Sequence, residues 1–475
     1  MKVNKLINKF IINNHKINSL KTDSRKVVEG DIFYAIKGSD FDGNNYINEA
    51  ILRGAKTIIS EVELKDKSEY SNINYIVVDD VRKELAMNAK VFYKDISRTM
   101  DLIGVTGTNG KTTVTTLLYK YLMKLNKKAT LIGTNGIYID NIYYETKNTT
   151  PDILDIYEIL EMSKESGVST VFMEVSSHAI KMLRVYGLEF KIGLITNISL
   201  DHLDYHRTMD DYKYTKGLFL SHIDKNNIVI INKDMDDFIF FNKLPQAKVS
   251  TFGSENCDYK LIDYTLGIEG SSFKINIKGI EYKLETKLLG LFNIFNILAF
   301  IAIIDCLKMP LDNINSFINS KINILGRMEV IEYKNRYFVI DFAHTPDGVE
   351  NVIKYLNQIK KNNLIVIIGC GGDRDRSKRR VIGDIVSREA DYFVLTNDNP
   401  RTEDPVLIIE DILEGVKTKN YAVIMDRKIA IEEAYKRSLK DDIIAILGKG
   451  NEEYQIINNQ KIMFSDKEVV RGLNL

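Results

Sequence analysis

The sequence has no excess charge of either sign: 65 basic and 65 acidic side chains cancel to a formal net charge of zero. Nucleic acids and anionic membranes favour a basic excess, so neither is an expected partner, and any anion must be held by a local site. Cysteine is scarce. Cys257, Cys306 and Cys370 lie too far apart for a metal-ligand spacing or a disulfide framework, which fits a reducing compartment. There is no long uninterrupted apolar run. The most apolar stretch, 288–307, is broken by Asn293, Asn296 and Asp305 and reads as a buried helix rather than a membrane span. The opening segment MKVNKLINKFIINNHKINSL carries charge and asparagine throughout, without the apolar core or cleavage site of a secretory signal. A cytoplasmic location is therefore expected. Internal repeats and low-complexity linkers are also missing.

What is present is a chain of 475 residues, 44% hydrophobic and 27% charged. That composition suits a globular protein, and at roughly 150 residues per domain the length suggests about three domains. Boundaries fall where strand-plus-turn patterns restart. The first segment, 1–98, holds short apolar runs at 31–36, 57–60 and 75–78 and a helical stretch at 82–95. The second, 99–325, has strand candidates at 102–105, 129–132, 170–175, 192–197 and 228–231, separated by helical lengths. Such spacing predicts a parallel sheet with helices on both faces. From 248 to 287 the pattern shortens and alternates, as antiparallel strands do, before an apolar helix at 293–307. The third segment, 326–475, has strands at 337–341, 364–368, 392–396, 422–425 and 443–447. The expected fold is α/β, with a central P-loop-type parallel sheet and a C-terminal Rossmann-like doubly wound domain.

The first strand of the second segment runs into Thr106-Gly107-Thr108-Asn109-Gly110-Lys111-Thr112-Thr113 and then a helix-forming run. Strand, glycine loop and helix in that order form a phosphate cradle. Gly107 and Gly110 let backbone N–H groups turn toward an anion, and the helix N-terminus adds partial positive charge. Lys111 would reach the β- and γ-phosphates of ATP and Thr112 would ligate magnesium. The first glycine of a strict Walker A motif is replaced by Val105, and a plain strand-to-helix glycine turn is the alternative.

The run GVTGTNGKTT resembles the ATP loop of the Mur ligases and of folylpolyglutamate synthetase. Further motifs extend the Mur ligase resemblance over nearly the whole chain. They are EVSSHA at 174–179, TNISLDHLDYH at 196–206, GRMEV at 326–330, DFAHTPD at 341–347, GCGGDRDRSKR at 369–379, DNPR at 398–401 and GKGNEEYQ at 448–455. The combination is similar to the members that add the third amino acid to a UDP-linked muramoyl peptide. It implies ATP-dependent ligation, magnesium, and UDP-N-acetylmuramoyl-L-alanyl-D-glutamate as acceptor. A carboxylate is activated as an acyl phosphate and then attacked by an amine, so negative charge gathers where magnesium and basic residues must converge.

The resemblance carries residue roles with it. Lys111, Glu174, His202 and Lys216 are implied as catalytic, with Thr112, Glu174 and His202 around the metal and Lys216 carbamylated. From the residues alone, Glu174 is a strand end, His202 a loop histidine and Lys216 a helical lysine. ATP contacts are implied at Gly107, Thr108, Asn109, Gly110, Lys111, Thr112, Thr113, Asn293, Asn296, Arg327, Asp341 and His344. Asn293 and Asn296 would serve equally as helix caps. Ser24, within the turn-like run 22–25, with Asn148, Thr149, Thr150, Ser177 and Arg184, is implied to hold the UDP-muramoyl peptide. Arg379, Asp398, Asn399, Pro400, Arg401, Gly448 and Glu452 are implied to hold the incoming diamino acid.

Within DNPR, Arg401 offers a bidentate partner to the second carboxylate of meso-diaminopimelate, which lysine lacks. The family's usual GKGHE is GKGNE here, with Asn451 in place of histidine. This leaves room for a related diacid such as meso-lanthionine. A lysine-adding ligase is disfavoured by Arg401, a folylpolyglutamate synthetase by DNPR, and an inert P-loop scaffold by the intact Lys111, Thr112, Glu174, His202 and Lys216. A monomer is expected. So is domain closure, since Arg327 and Asp341 belong to a different segment from Lys111 yet must reach the same nucleotide.

Overall fold

Every strand expected in the three segments forms within a residue or two of its expected ends in the computed structural model. The model describes residues 1–475 except 8, 10, 39–40, 64–71, 323 and 474–475. The chain divides into two compact units, 1–104 with 122–191, and 105–121 with 192–475.

In the first unit, strands Leu20–Lys21, Ile32–Tyr34, Thr57–Ser60 and Asn74–Val77 form a parallel sheet in that order. Phe33, Ala35, Ala50 and Ile58 are sealed beneath it. Helix Val81–Phe92 follows, its first turn capped by the Asp80 carboxylate, which accepts from Lys83 N at 2.9 Å. The same unit holds Thr170–Glu174 paired in parallel with Ala129–Gly133. Strands Gly136–Ile139 and Ile142–Tyr144 extend that sheet as an antiparallel hairpin that the sequence pattern had not suggested.

In the second unit, Ile192–Ile195, Ile228–Asn232 and Lys248–Gly253 run parallel. The expectation of antiparallel pairing throughout 248–287 is corrected here. Lys248–Gly253 is reached through helix Phe238–Asn242, a crossover that returns the chain in the same direction. Its half-exposed alternation imitates an antiparallel strand. The antiparallel part is the meander Tyr259–Gly267, Gly270–Ile277 and Ile280–Thr286. Helix Leu291–Cys306 is buried along most of its length. Among the described residues no helix is long and apolar enough to cross a membrane.

The rest of this unit is a six-stranded sheet. Its order is Glu329–Tyr333, Arg336–Asp341, Ile443–Leu447, Leu364–Ile368, Tyr392–Leu395 and Tyr421–Val423, and only the first strand is antiparallel. Apolar residues of helices Pro346–Ile359, Ser377–Glu389 and Pro405–Leu413 cover one face, those of Arg427–Arg437 and Asp466–Gly472 the other. This is the expected doubly wound arrangement. The last strand returns between the first two parallel ones, so strand order reverses there. Chain segments leaving the strands' C-terminal ends diverge and leave a crevice. DFAH, GCGG, DNPR and GKGN all sit at those ends.

Candidate active site

The glycine loop after strand Asp101–Thr106 is held by the next strand end, Thr196-Asn197. Asn197 O accepts from Thr108 N at 2.9 Å and its Oδ1 from Asn109 N at 2.9 Å, while Thr196 Oγ1 donates to Asn109 O at 2.6 Å. A Cβ on Gly107, at φ +136°, would lie 1.9 Å from Thr196 Oγ1, so only glycine fits there. Lys111 folds back, its Nζ donating to Gly107 O (2.8 Å) and Thr108 O (2.9 Å). Neither Thr196 nor Asn197 was assigned a role from the sequence, although their place at the end of a buried parallel strand is a signal for one.

Beside the loop lies a cavity of about 390 Å³. Its walls bring together Asn109, Gly110, Thr112, Thr113, Asn293, Asn296, Arg327 and Asp341, eight of the residues expected around ATP. The capping alternative for the two asparagines does not hold, because Gly290 is the N-cap. Asn293 Nδ2 donates back to Leu289 O and Asn296 Nδ2 donates to Asn293 Oδ1. Asp341 accepts from Met328 N (2.7 Å) and Ala343 N (2.8 Å). Burial raises its pKa against the opposing pull of Arg327 and these two N–H groups. The Arg327 guanidinium lies over the Phe342 ring at 4.8 Å and makes no hydrogen bond among the described residues. Asn109 Nδ2 donates to Asp347 Oδ2 at 3.0 Å, tying the loop to the start of helix Pro346–Ile359.

Lys216 is 1% exposed, and its Nζ donates to Gly107 O at 2.9 Å. Burial first, and Lys111 second, hold its pKa well below that of an ordinary lysine. His202 caps a short helix with a left-handed backbone, φ +56°, and its ring nitrogen lies 3.3 Å from Asp201. Burial alone would raise the Asp201 carboxyl. His202, His344 and Lys378 outweigh it and hold the pKa at about 2. Asp201 and Lys378, both buried and neither foreseen, are 3.9 Å apart. His344 is lowered by burial, then by Lys378.

At the strand ends of the six-stranded sheet, Asp398, Asn399, Arg401, Gly448 and Glu452 cluster as expected. A Cβ on Gly448 would come within 2.7 Å of Asp398 Oδ2. Asn399 Nδ2 donates to Glu452 Oε2 at 2.8 Å. Arg401 Nη1 donates to Gly372 O at 2.6 Å. Its pKa is lowered by burial and then by a neighbouring cation, the exposed Arg374. Arg374 escaped the sequence reading because four arginines lie between 374 and 380, and only the fold shows which one stands beside Arg401. The structure corrects the expected contact at Arg379. Its side chain has no exposure and is enclosed by Glu403, which it meets at 2.9 Å, and Asp411 at 2.8 Å. The hairpin Tyr454–Ile457 and Gln460–Met463 clamps DNPR, with Gln455 Nε2 donating to Asp398 O and Arg401 N to Ile456 O.

The first unit holds its own group. Glu174 is 1% exposed and accepts through Oε1 from Thr134 N (2.9 Å) and through Oε2 from Thr134 Oγ1 (3.1 Å). Thr134 meets Thr149 at 3.2 Å, Thr150 Oγ1 donates to Glu174 O, and Arg184 donates to Thr150 O and pairs with Asp152. Ser177 is buried on the short helix Ser177–Lys181 that follows Glu174. Asn148 N donates to Thr146 Oγ1 in the same loop. Ser24 lies elsewhere in the unit, donating to Glu49 Oε2 at 2.7 Å.

Three family descriptions match the chain: "Mur ligase family, catalytic domain" over 16–93, "Mur ligase middle domain" over 105–304 and "Mur ligase, glutamate ligase domain" over 326–450. The UDP-N-acetylmuramoyl-L-alanyl-D-glutamate--2,6-diaminopimelate ligase of Halalkalibacterium halodurans is 38% identical over 96% of this chain and 94% of its own length. The chain belongs to the Mur ligase family. The Clostridium botulinum protein of the same name is also 38% identical, over 98% of this chain and 96% of its own. A solved structure of a ligase of that name superposes at TM-score 0.71 with 31% identity, covering 100% of this chain and 98% of the other. As a Mur ligase, the protein is an ATP-dependent enzyme that forms amide bonds, and the cavity beside the glycine loop is lined by residues of both the 105–304 and the 326–450 matches.

Proposed function

We propose that this Mur ligase joins meso-diaminopimelate, or a close diamino diacid such as meso-lanthionine, to the D-glutamate of UDP-N-acetylmuramoyl-L-alanyl-D-glutamate, acting as a cytoplasmic monomer in peptidoglycan synthesis. The observation that carries the choice of amino acid is the pairing of Arg401 with Arg374 at the mouth of DNPR. Neither guanidinium forms an ion pair among the described residues, the nearby carboxylates of Asp398, Glu452 and Asp373 do not outweigh burial and Arg374 at Arg401, and a distal carboxylate is the group that would meet both. Lysine would bring a third cation instead.

ATP binds with its phosphates on the Gly107–Thr113 loop and its nucleoside toward Asn293 and Asn296, with Asp341 and His344 nearby. Lys111 leaves its two carbonyl partners for the phosphates, and the Arg327 guanidinium, with no hydrogen bond among the described residues, meets the negative charge that builds during transfer. With domain limits at 1–98, 99–325 and 326–475, Ser24 of the first segment meets the nucleotide sugar. The muramoyl peptide lies along Asn148, Thr149, Thr150, Ser177 and Arg184. Asp398, Asn399, Pro400, Arg401, Gly448 and Glu452 receive the amino acid, and Arg379 acts by fixing Glu403.

The donor set suits magnesium in part. The Thr112 hydroxyl and the Glu174 carboxylate are hard oxygen donors, and His202 is the unusual member. Among the described residues, no three His, Cys, Asp or Glu side chains stand together as a metal site. Addition of CO2 to the Lys216 amine, with loss of a proton, would supply a further carboxylate, and magnesium when bound would neutralise phosphate charge. The reading is tested by phosphate release with ATP, magnesium and the UDP-dipeptide, comparing meso-diaminopimelate, meso-lanthionine and L-lysine. Release only with lysine would overturn the amino-acid assignment, and release with none would overturn the whole reading.

A further inference from the structure

Glu452 faces the place where an incoming ammonium group would sit, if the cluster at DNPR receives a diamino acid as proposed above. What fixes Glu452 is a neighbour with no assigned role. Lys449 has no exposed side-chain surface, whereas the Glu452 side chain is 25% exposed. Lys449 Nζ donates to Glu452 Oε2 at 2.8 Å and to Asn399 Oδ1 at 3.2 Å. Asn399 Oδ1 also accepts from Ile456 N at 2.9 Å, so its oxygen is fully used and its Nδ2 is turned to Glu452 Oε2. The amide therefore has one orientation. Both donors converge on Oε2, and Oε1 receives no hydrogen bond among the described residues. A carboxylate held by one oxygen from within, with the other unoccupied at a partly open position, is arranged to accept from a ligand cation.

We propose that Lys449 is a positioning residue for amino-acid recognition. It locks the Asn399 amide and the Glu452 carboxylate into one geometry, so that Oε1 meets an ammonium of the diamino acid. Lys449 itself touches no substrate.

The inference rests on the proposed ligase reading, and the experiment separates the two. Phosphate release by the unaltered protein with a diamino acid is measured first; its absence would defeat the ligase reading, not the role of Lys449. With activity in hand, Lys449→Met is expected to raise the diamino-acid KM ten-fold or more while leaving the KM values for ATP and the UDP-dipeptide within two-fold. Glu452→Gln should do the same. The double variant Lys449→Met/Glu452→Gln should match Glu452→Gln alone, because Lys449 acts only through that carboxylate. The double variant also leaves no buried charge unpaired, so it keeps the comparison available should Lys449→Met fail to fold. A double variant ten-fold worse than Glu452→Gln, or equal losses in all three KM values, would overturn the proposal and leave Lys449 a purely structural residue.

Discussion

Replacing Arg401 by Ala tests the specificity argument. Arg401 already has a left-handed backbone, φ +54°, so alanine adds no new strain, and the hydrogen bonds lost are those to Gly372 O at 2.6 Å and, more weakly, to Asn399 O at 3.5 Å. Gly372 is buried, so that loss should also lower thermal stability, which the melt reports separately from specificity. The effect on a ligand is larger. A hydrogen bond to a charged group contributes about 1.5–3 kcal/mol. Loss of one guanidinium partner for a distal carboxylate should therefore lower kcat/KM for meso-diaminopimelate roughly 10- to 150-fold. Arg374 remains and retains part of the attraction. With L-lysine, which offers no distal carboxylate, kcat/KM should stay the same or rise as a like charge is removed. The assay is coupled ADP release with each amino acid varied at saturating ATP and UDP-dipeptide, alongside a thermal melt. A fall for both amino acids alike, or an unchanged value for meso-diaminopimelate, would refute the pairing of Arg401 with a carboxylate.

Gly110→Ala places a Cβ 2.3 Å from Asn296 Oδ1 at φ +88°. The strain of about 1–3 kcal/mol should raise the ATP KM about ten-fold without moving the amino-acid KM, as initial-rate kinetics would show. Lys216→Met should abolish ligation yet stabilise the protein in CO2-free buffer. The unfolded lysine binds its proton more tightly than the buried amine, whose pKa is lowered, so stability rises with pH, and the gain from methionine should shrink as pH climbs toward 10.5 in thermal melts. Arg427→Met strands the wholly buried Asp466 carboxylate, its partner at 2.7 Å. Urea unfolding should show a loss of about 3–5 kcal/mol, largely restored in Arg427→Met/Asp466→Leu.

Much of the fold could be read from the sequence because buried parallel strands are written as continuous apolar runs, such as LIVII at 364–368 and IIAIL at 443–447, each bounded by turn residues. Lys248–Gly253 was misread because its burial alternates, and alternation reports a half-exposed face, not strand direction. The glycine loop was legible because strand, glycines, lysine and threonine are contiguous. Arg374 was not, since four arginines within a few residues differ only in which way the chain turns. Arg379 is drawn inward by Glu403 and Asp411, carboxylates from a later loop and helix, and local pattern cannot anticipate that. Thr196, Asn197, Asp201, Lys378 and Lys449 support residues that the motifs do reveal. The partners of Thr196, Asn197 and Lys378 are distant in sequence, and Asp201 and Lys449, which hold the nearby His202 and Glu452, also reach Lys378 and Asn399 far along the chain, so only the folded chain identifies the full set.

The central claim is that this chain condenses a diamino diacid with the D-glutamate side chain through an acyl phosphate. The most direct test supplies UDP-N-acetylmuramoyl-L-alanyl-D-glutamate with oxygen-18 in the glutamate γ-carboxylate, together with ATP, magnesium and meso-diaminopimelate, and analyses both products by mass spectrometry. The account predicts a UDP-tripeptide and inorganic phosphate carrying one oxygen-18 from the carboxylate. Unlabelled phosphate, or no UDP-tripeptide, would contradict it.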